Sequence, residues 1–210
     1  MEVRNRRIPY KWFRSVFSVC SVVNVFGLNN PRQRSRMTTR AQTLADSVLL
    51  SRELLRRYLA GFDDTNHTKQ PPDMPNHVAW TLGHLALTMH RAAEKIDDTP
   101  PPESDFFKGS GRGDSHRFDT EAVCFGSKPG CDPATFPPMK RCVNIFSGAI
   151  DRLAATVGSA DDAALDKLVK WGALDVPAWA AVARMVFHNG THCGQIADLR
   201  RALRMNSVFA

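Results

Sequence analysis

Four segments of about twenty residues each place their apolar side chains on one helical face. In the first, over 43–62, Leu44, Val48, Leu49, Leu55, Tyr58 and Leu59 form the stripe. Gly61 and the polar run D-D-T-N-H-T end it. A proline-rich stretch, K-Q-P-P-D-M-P, leads into the second segment, 76–96, with Pro75 and Asn76 at its favoured start. The third, 138–157, carries Met139, Val143, Phe146, Ile150, Leu153 and Val157. A short helix or turn over 161–170 precedes the fourth, 177–204, which carries Trp179, Val182, Met185, Val186, Ile196, Leu199 and Leu203. No strand alternation and no internal repeat is visible. Four one-sided helices bury their stripes best against one another, so the expected fold is all-α, a four-helix bundle.

Between helices 2 and 3 lies a long irregular loop, 97–137. Its T-P-P-P, G-S-G-R-G-D-S and F-G-S-K-P-G-C-D-P runs break any periodic element. Loops this long are often functional lids. The Arg112-Gly113-Asp114 triplet within it reads as turn chemistry rather than an adhesion motif.

The net charge of +7 on 210 residues suggests nucleic acid until it is mapped. Eight of the 28 Lys/Arg fall in residues 1–36 with a single acid, Glu2, and the remaining 20 basic residues face 20 acidic ones. The basic balance thus belongs to an N-terminal extension, 1–36, and residues 37–210 form the expected bundle domain; no nucleic-acid partner is expected. The extension runs basic, then apolar (S-V-F-S-V-C-S-V-V-N-V-F-G-L), then basic again. Its apolar run is too short to span a bilayer and no A-x-A-like site follows it, so no membrane association is expected. An over-extended start with initiation at Met37, a weakly structured tail and an export signal remain open. The five cysteines, Cys20, Cys124, Cys131, Cys142 and Cys193, form no disulfide framework or zinc-finger spacing. Reduced thiols in a cytoplasmic protein are the expectation.

The chemistry lies in the histidines. His188 and His192 are four residues apart in F-H-N-G-T-H-C-G-Q-I-A-D-L-R-R-A-L. On a helix that spacing puts both imidazoles on one face, one turn apart. His84, in N-H-V-A-W-T-L-G-H-L-A, is the best third ligand from a facing helix. A three-histidine site leaves coordination positions open, as a reactive metal requires. His77 lies on the same face as His84 but about 10.5 Å along the axis, so it lines the pocket or caps the helix. His90 points elsewhere. Gln195 could orient a ligand or make a polar bundle contact. Cys193 points away from the site. Gly190 and Gly194 suggest that a close helix crossing or a ligand needs space there. Asp198 with Arg200 and Arg201 reads as helix-end surface pairing. The zincin pattern is absent, because Asn189 follows His188 where a glutamate would supply a base.

Together, W-T-L-G-H-L-A and F-H-N-G-T-H-C-G-Q-I-A-D-L-R-R-A-L resemble the DinB-like (YfiT-like) metalloenzyme family over residues 40–206. The resemblance implies a four-helix bundle with metal-binding histidines at His84, His188 and His192. It implies zinc or nickel as the ion, and for some relatives transfer of a low-molecular-weight thiol, or its use in isomerisation. Several relatives are dimers, which makes a homodimer one implied assembly. The long loop and basic N-terminus depart from the family, so no substrate is carried over.

Three functions stand open on these residues. A thiol S-transferase would use the ion to favour thiolate, the nucleophilic form, against a small electrophilic substrate. A hydrolase would use it to lower the pKa of water, though no adjacent carboxylate base is evident. A non-catalytic bundle would bind a ligand or partner, with the metal incidental.

Overall fold

The first helix begins where Thr39 can cap it: the threonine side chain accepts the Gln42 N–H, and α1 runs Arg40–Tyr58. The computed structural model describes residues 39–109 and 113–209, which lie in one folded unit. The 1–36 extension, Cys20, Met37 and Arg112 lie outside the described residues. Helix α2 is Val78–Asp97 and α4 is Met139–Ser159, with a one-turn α3 at Thr120–Val123 and a short α5 at Asp162–Asp166 between the long elements. Helix α6 is Ala178–Ala202. Each of α1 and α2 packs against both α4 and α6, so the order round the bundle is α1, α4, α2, α6. Leu55, Leu82, Leu85, Ile150, Leu153 and Met185 fill its centre. The all-α expectation holds, and the four long helices fall within a few residues of their expected bounds.

The strand expectation is corrected. Residues Leu168–Trp171 (β3) and Leu174–Pro177 (β4) form an antiparallel hairpin, with Trp171 opposite Leu174. Gly172, at φ +61°, opens its two-residue turn. Only Val169 and Val176 point inward while Leu168 and Leu174 are exposed. Four residues with one buried side chain each carry too little alternation to be read.

The long loop is likewise more ordered than its composition suggests. Phe106–Phe107 (β1) pairs in parallel with Phe118–Asp119 (β2), and α3 follows directly. Phe106, Phe118, Val123 and Phe136 are buried, so aromatic anchors hold the segment on the bundle. Asp114 accepts the His116 and Arg117 N–H groups and pairs with the Arg117 guanidinium at 2.9 Å, which is turn chemistry as expected.

Three side-chain expectations change. Trp179, expected on the apolar stripe of α6, is 39% exposed. Arg200 makes no surface pair with Asp198, which instead pairs with Arg201. Arg200 is buried and donates to the carbonyls of Tyr58, Ala60 and Asn206, capping the end of α1. A Cβ at Gly190 or Gly194 would meet nothing within 4 Å, so no close helix crossing explains either glycine. Among the described cysteines, Cys124, Cys131, Cys142 and Cys193 are all free thiols. No helix among the described residues is long and apolar enough to cross a membrane.

Candidate metal centre

Helices α2 and α6 are neighbours, and their contact brings the three histidines together. His84 is buried on α2, whose inner face is apolar from Val78 to Ala93. His188 and His192 sit one turn apart on α6, half-buried and buried respectively. The Nε2 atoms of His84 and His188 are 3.2 Å apart, and those of His188 and His192 are 3.1 Å apart. One ligand atom from each residue lies within 4.8 Å of the other two. A tetrahedral site with metal–nitrogen bonds of about 2.0–2.1 Å has nitrogen–nitrogen edges of roughly 3.3 Å. The spacing therefore fits a metal.

The tautomer of His84 is fixed by a partner the sequence did not reveal. Its Nδ1 lies 2.8 Å from the Val123 carbonyl oxygen. A carbonyl only accepts, so Nδ1 carries the hydrogen and Nε2 of the neutral ring presents its lone pair to the site. Gly83 makes that contact possible. A Cβ there would come within 2.7 Å of the Phe118 ring and 2.9 Å of Val123. Its absence lets the end of the long loop close on α2. Trp80, one turn before His84, stacks on its ring at a centroid distance of 4.6 Å and an angle of 10°. The Trp80 indole N–H donates to Ser127 Oγ at 2.9 Å, which ties the tryptophan to the same loop. The i, i+4 spacing of Trp80 and His84 is a signal from which the stack could have been found; Val123 acts through its backbone and leaves no side-chain signal.

Burial lowers the pKa of all three ligand candidates. His84 falls below its ordinary value, His188 falls to about 4 and His192 to about 3, with neighbouring imidazoles adding to the last two. Three neutral imidazoles thus face a common centre. With the hydrogens of His188 and His192 on Nδ1, as in His84, all three Nε2 lone pairs would be free for a cation, and neutral imidazole nitrogens suit zinc or nickel. The Nδ1 atoms of His188 and His192 are buried without hydrogen-bond partners, so this chain steadies those two rings by packing. Gln195 lies against His192 and weakly favours its charged form, but neither Gln195 Oε1 nor His192 Nδ1 makes a well-formed hydrogen bond.

The remaining sequence candidates fall outside the cluster. His77 is the N-cap of α2: its Nδ1 accepts the Trp80 N–H and its Nε2 donates to the Gly130 carbonyl at 2.9 Å. His90 accepts from Arg152 on the opposite side of α2. Cys193 is buried, with its thiol pushed up to about 11 by desolvation.

The sequence pattern of the DinB superfamily matches residues 47–196, which include His84, His188 and His192. A crystal structure of a conserved protein from Enterococcus faecalis superposes with a TM-score of 0.57 at 12% identity. The match covers 80% of this chain and 98% of that chain, a likeness of fold. Among curated proteins no sequence matches.

Proposed function

The chain belongs to the DinB superfamily, and from that footing we propose that it is a metal-dependent enzyme whose His84, His188 and His192 hold a divalent ion, zinc or nickel. The observation that carries this reading is the convergence of three neutral imidazoles with ligand atoms within 4.8 Å of one another, the His84 Nε2 lone pair being aimed inward by the Val123 carbonyl. The proposed reaction joins a low-molecular-weight thiol to a small electrophilic substrate. The bound ion supplies Lewis acidity that favours the thiolate over the thiol at neutral pH.

The chain's own residues supply the rest. Burial keeps the His188 and His192 rings neutral, so their donor atoms stay available. Trp80 covers one face of the His84 ring and excludes water from it. Gln195 lies half-buried beside His192, and its buried Oε1, which lacks a well-formed hydrogen bond, would accept from a polar group drawn into the site. No carboxylate joins the three-histidine group among the described residues, so a built-in base for water is missing there. That favours thiol transfer over hydrolysis.

The test is conjugation of a panel of thiols and electrophiles by full-length protein loaded with zinc or nickel, followed by mass spectrometry. An S-conjugate that requires both thiol and metal, and that disappears in His188→Ala, is expected. Thiol-independent turnover of ester or amide probes would move the assignment to a hydrolase. Metal binding without turnover of any probe would leave a binding module.

A further inference from the structure

A cleft separate from the three-histidine centre lies where the C-terminal ends of α1 and α6 meet. It has a volume of about 740 Å³ and is lined by Arg57, Arg200, Arg204, Asn206, Met205 and Val208 among others, with no carboxylate in its walls. The distinguishing observation is how the arginines are used. Six described arginines are buried or half-buried: Arg52, Arg57, Arg117, Arg141, Arg152 and Arg200. Arg52, Arg117, Arg141 and Arg152 each pair with an aspartate. The two without a carboxylate, Arg57 and Arg200, line the same cleft.

Arg200 spends Nη1 and Nη2 on backbone carbonyls, and its Nε donates to nothing. The guanidinium of Arg57 makes no hydrogen bond or ion pair, and neither does that of the exposed Arg204. Arg204 holds a left-handed backbone conformation, φ +56°, where α6 ends. Arginines at helix C-termini commonly offset the carbonyl dipole. Arg57, in the last turn of α1, and Arg204, just past α6, lie at such ends, but neither guanidinium bonds a carbonyl as that of Arg200 does. Planar guanidinium forks match the oxygens of a phosphate, and several arginines lining one cleft without an acid suit such an anion. The cleft is far larger than a single oxyanion, and its Met205 and Val208 walls are apolar.

We propose that this cleft binds the phosphate group of a small phosphorylated ligand, with Arg57 and Arg204 as the principal contacts and Arg200 as a fixed supporting charge. The ligand's organic part lies against Met205 and Val208. The site is distinct from the three-histidine centre and does not depend on its occupant.

Isothermal titration calorimetry of the full chain tests it, with inorganic phosphate and phenyl phosphate as probes at constant ionic strength. Saturable binding at one site per chain is expected, weakened at least tenfold in Arg57→Gln and in Arg204→Gln. It should persist in His188→Ala, which separates the cleft from phosphate held by a metal. It should also persist in Arg184→Gln, an exposed arginine outside the cleft. Tighter binding of phenyl phosphate than of phosphate supports an ester as the ligand; equal binding assigns the site to the free ion. Absence of saturable binding, or binding undiminished in both cleft variants, would overturn the proposal. Circular dichroism of the two glutamine variants ensures that a loss is not unfolding.

Discussion

A neutral imidazole has one lone pair to offer, and the hydrogen bond on its other nitrogen decides where that pair points. His84 is directed by Val123, His77 by the Trp80 N–H, and His90 by Arg152, which can only donate. His77 and His90 are therefore buried as neutral rings, each with its pKa lowered to about 4, chiefly by desolvation. The consequence for stability has a definite sign. The unfolded chain takes up these protons near the ordinary value of about 6.5, while the folded chain resists until about 4. Their contribution is complete above pH 6.5 and is lost progressively as pH falls towards 4. In urea titrations at several pH values, His77→Asn, which keeps a capping acceptor, and His90→Gln should each flatten the acid limb relative to wild type. Parallel curves in wild type and both variants would contradict the assignment.

At the scale of elements, Gly83 and the pair Gly190 and Gly194 make opposite predictions. The first sits under Phe118 and Val123, so Gly83→Ala forces the loop away from α2. A loss of about 1–3 kcal/mol in denaturant unfolding is expected, with weaker metal retention as Val123 leaves His84. The other two face open space in the middle of a helix. Gly190→Ala and Gly194→Ala should each raise stability by roughly 0.5–1 kcal/mol, because a helical glycine costs backbone entropy that nothing here requires. These glycines also mark the limit of reading from sequence. A glycine beside a histidine motif signals crowding only when something packs on it, and packing depends on which face the tertiary fold covers. His188 and His192 were legible because i, i+4 spacing is a local property of any helix. The position of Val123 depends on how residues 97–137 fold, and prolines and glycines there hide the buried Phe106, Phe118 and Phe136 that anchor it.

For the whole molecule, one neighbour relation matters most: α2 beside α6, which turns two separated motifs into a single centre. The apolar periodicity made the four helices readable, since each is long enough for its stripe to repeat. It could not reveal the β3–β4 hairpin, whose strands bury one valine each, or the role of Arg200, whose partners are carbonyls on another helix. An ion held between α2 and α6 binds only the folded arrangement, so it should stabilise the chain as a whole. At free metal 100-fold above its dissociation constant the gain is about 2.7 kcal/mol. Thermal unfolding of metal-depleted protein should therefore shift upward on adding zinc or nickel, and the shift should vanish in His192→Ala. The most direct test of the central claim is the metal content of the purified full chain by elemental mass spectrometry, beside His84→Ala, His188→Ala and His192→Ala. Near-stoichiometric zinc or nickel in the wild type, lost in all three variants that remain folded, is the predicted result. A folded wild type that stays empty after incubation with either ion, or variants that retain it in full, would contradict the metal centre.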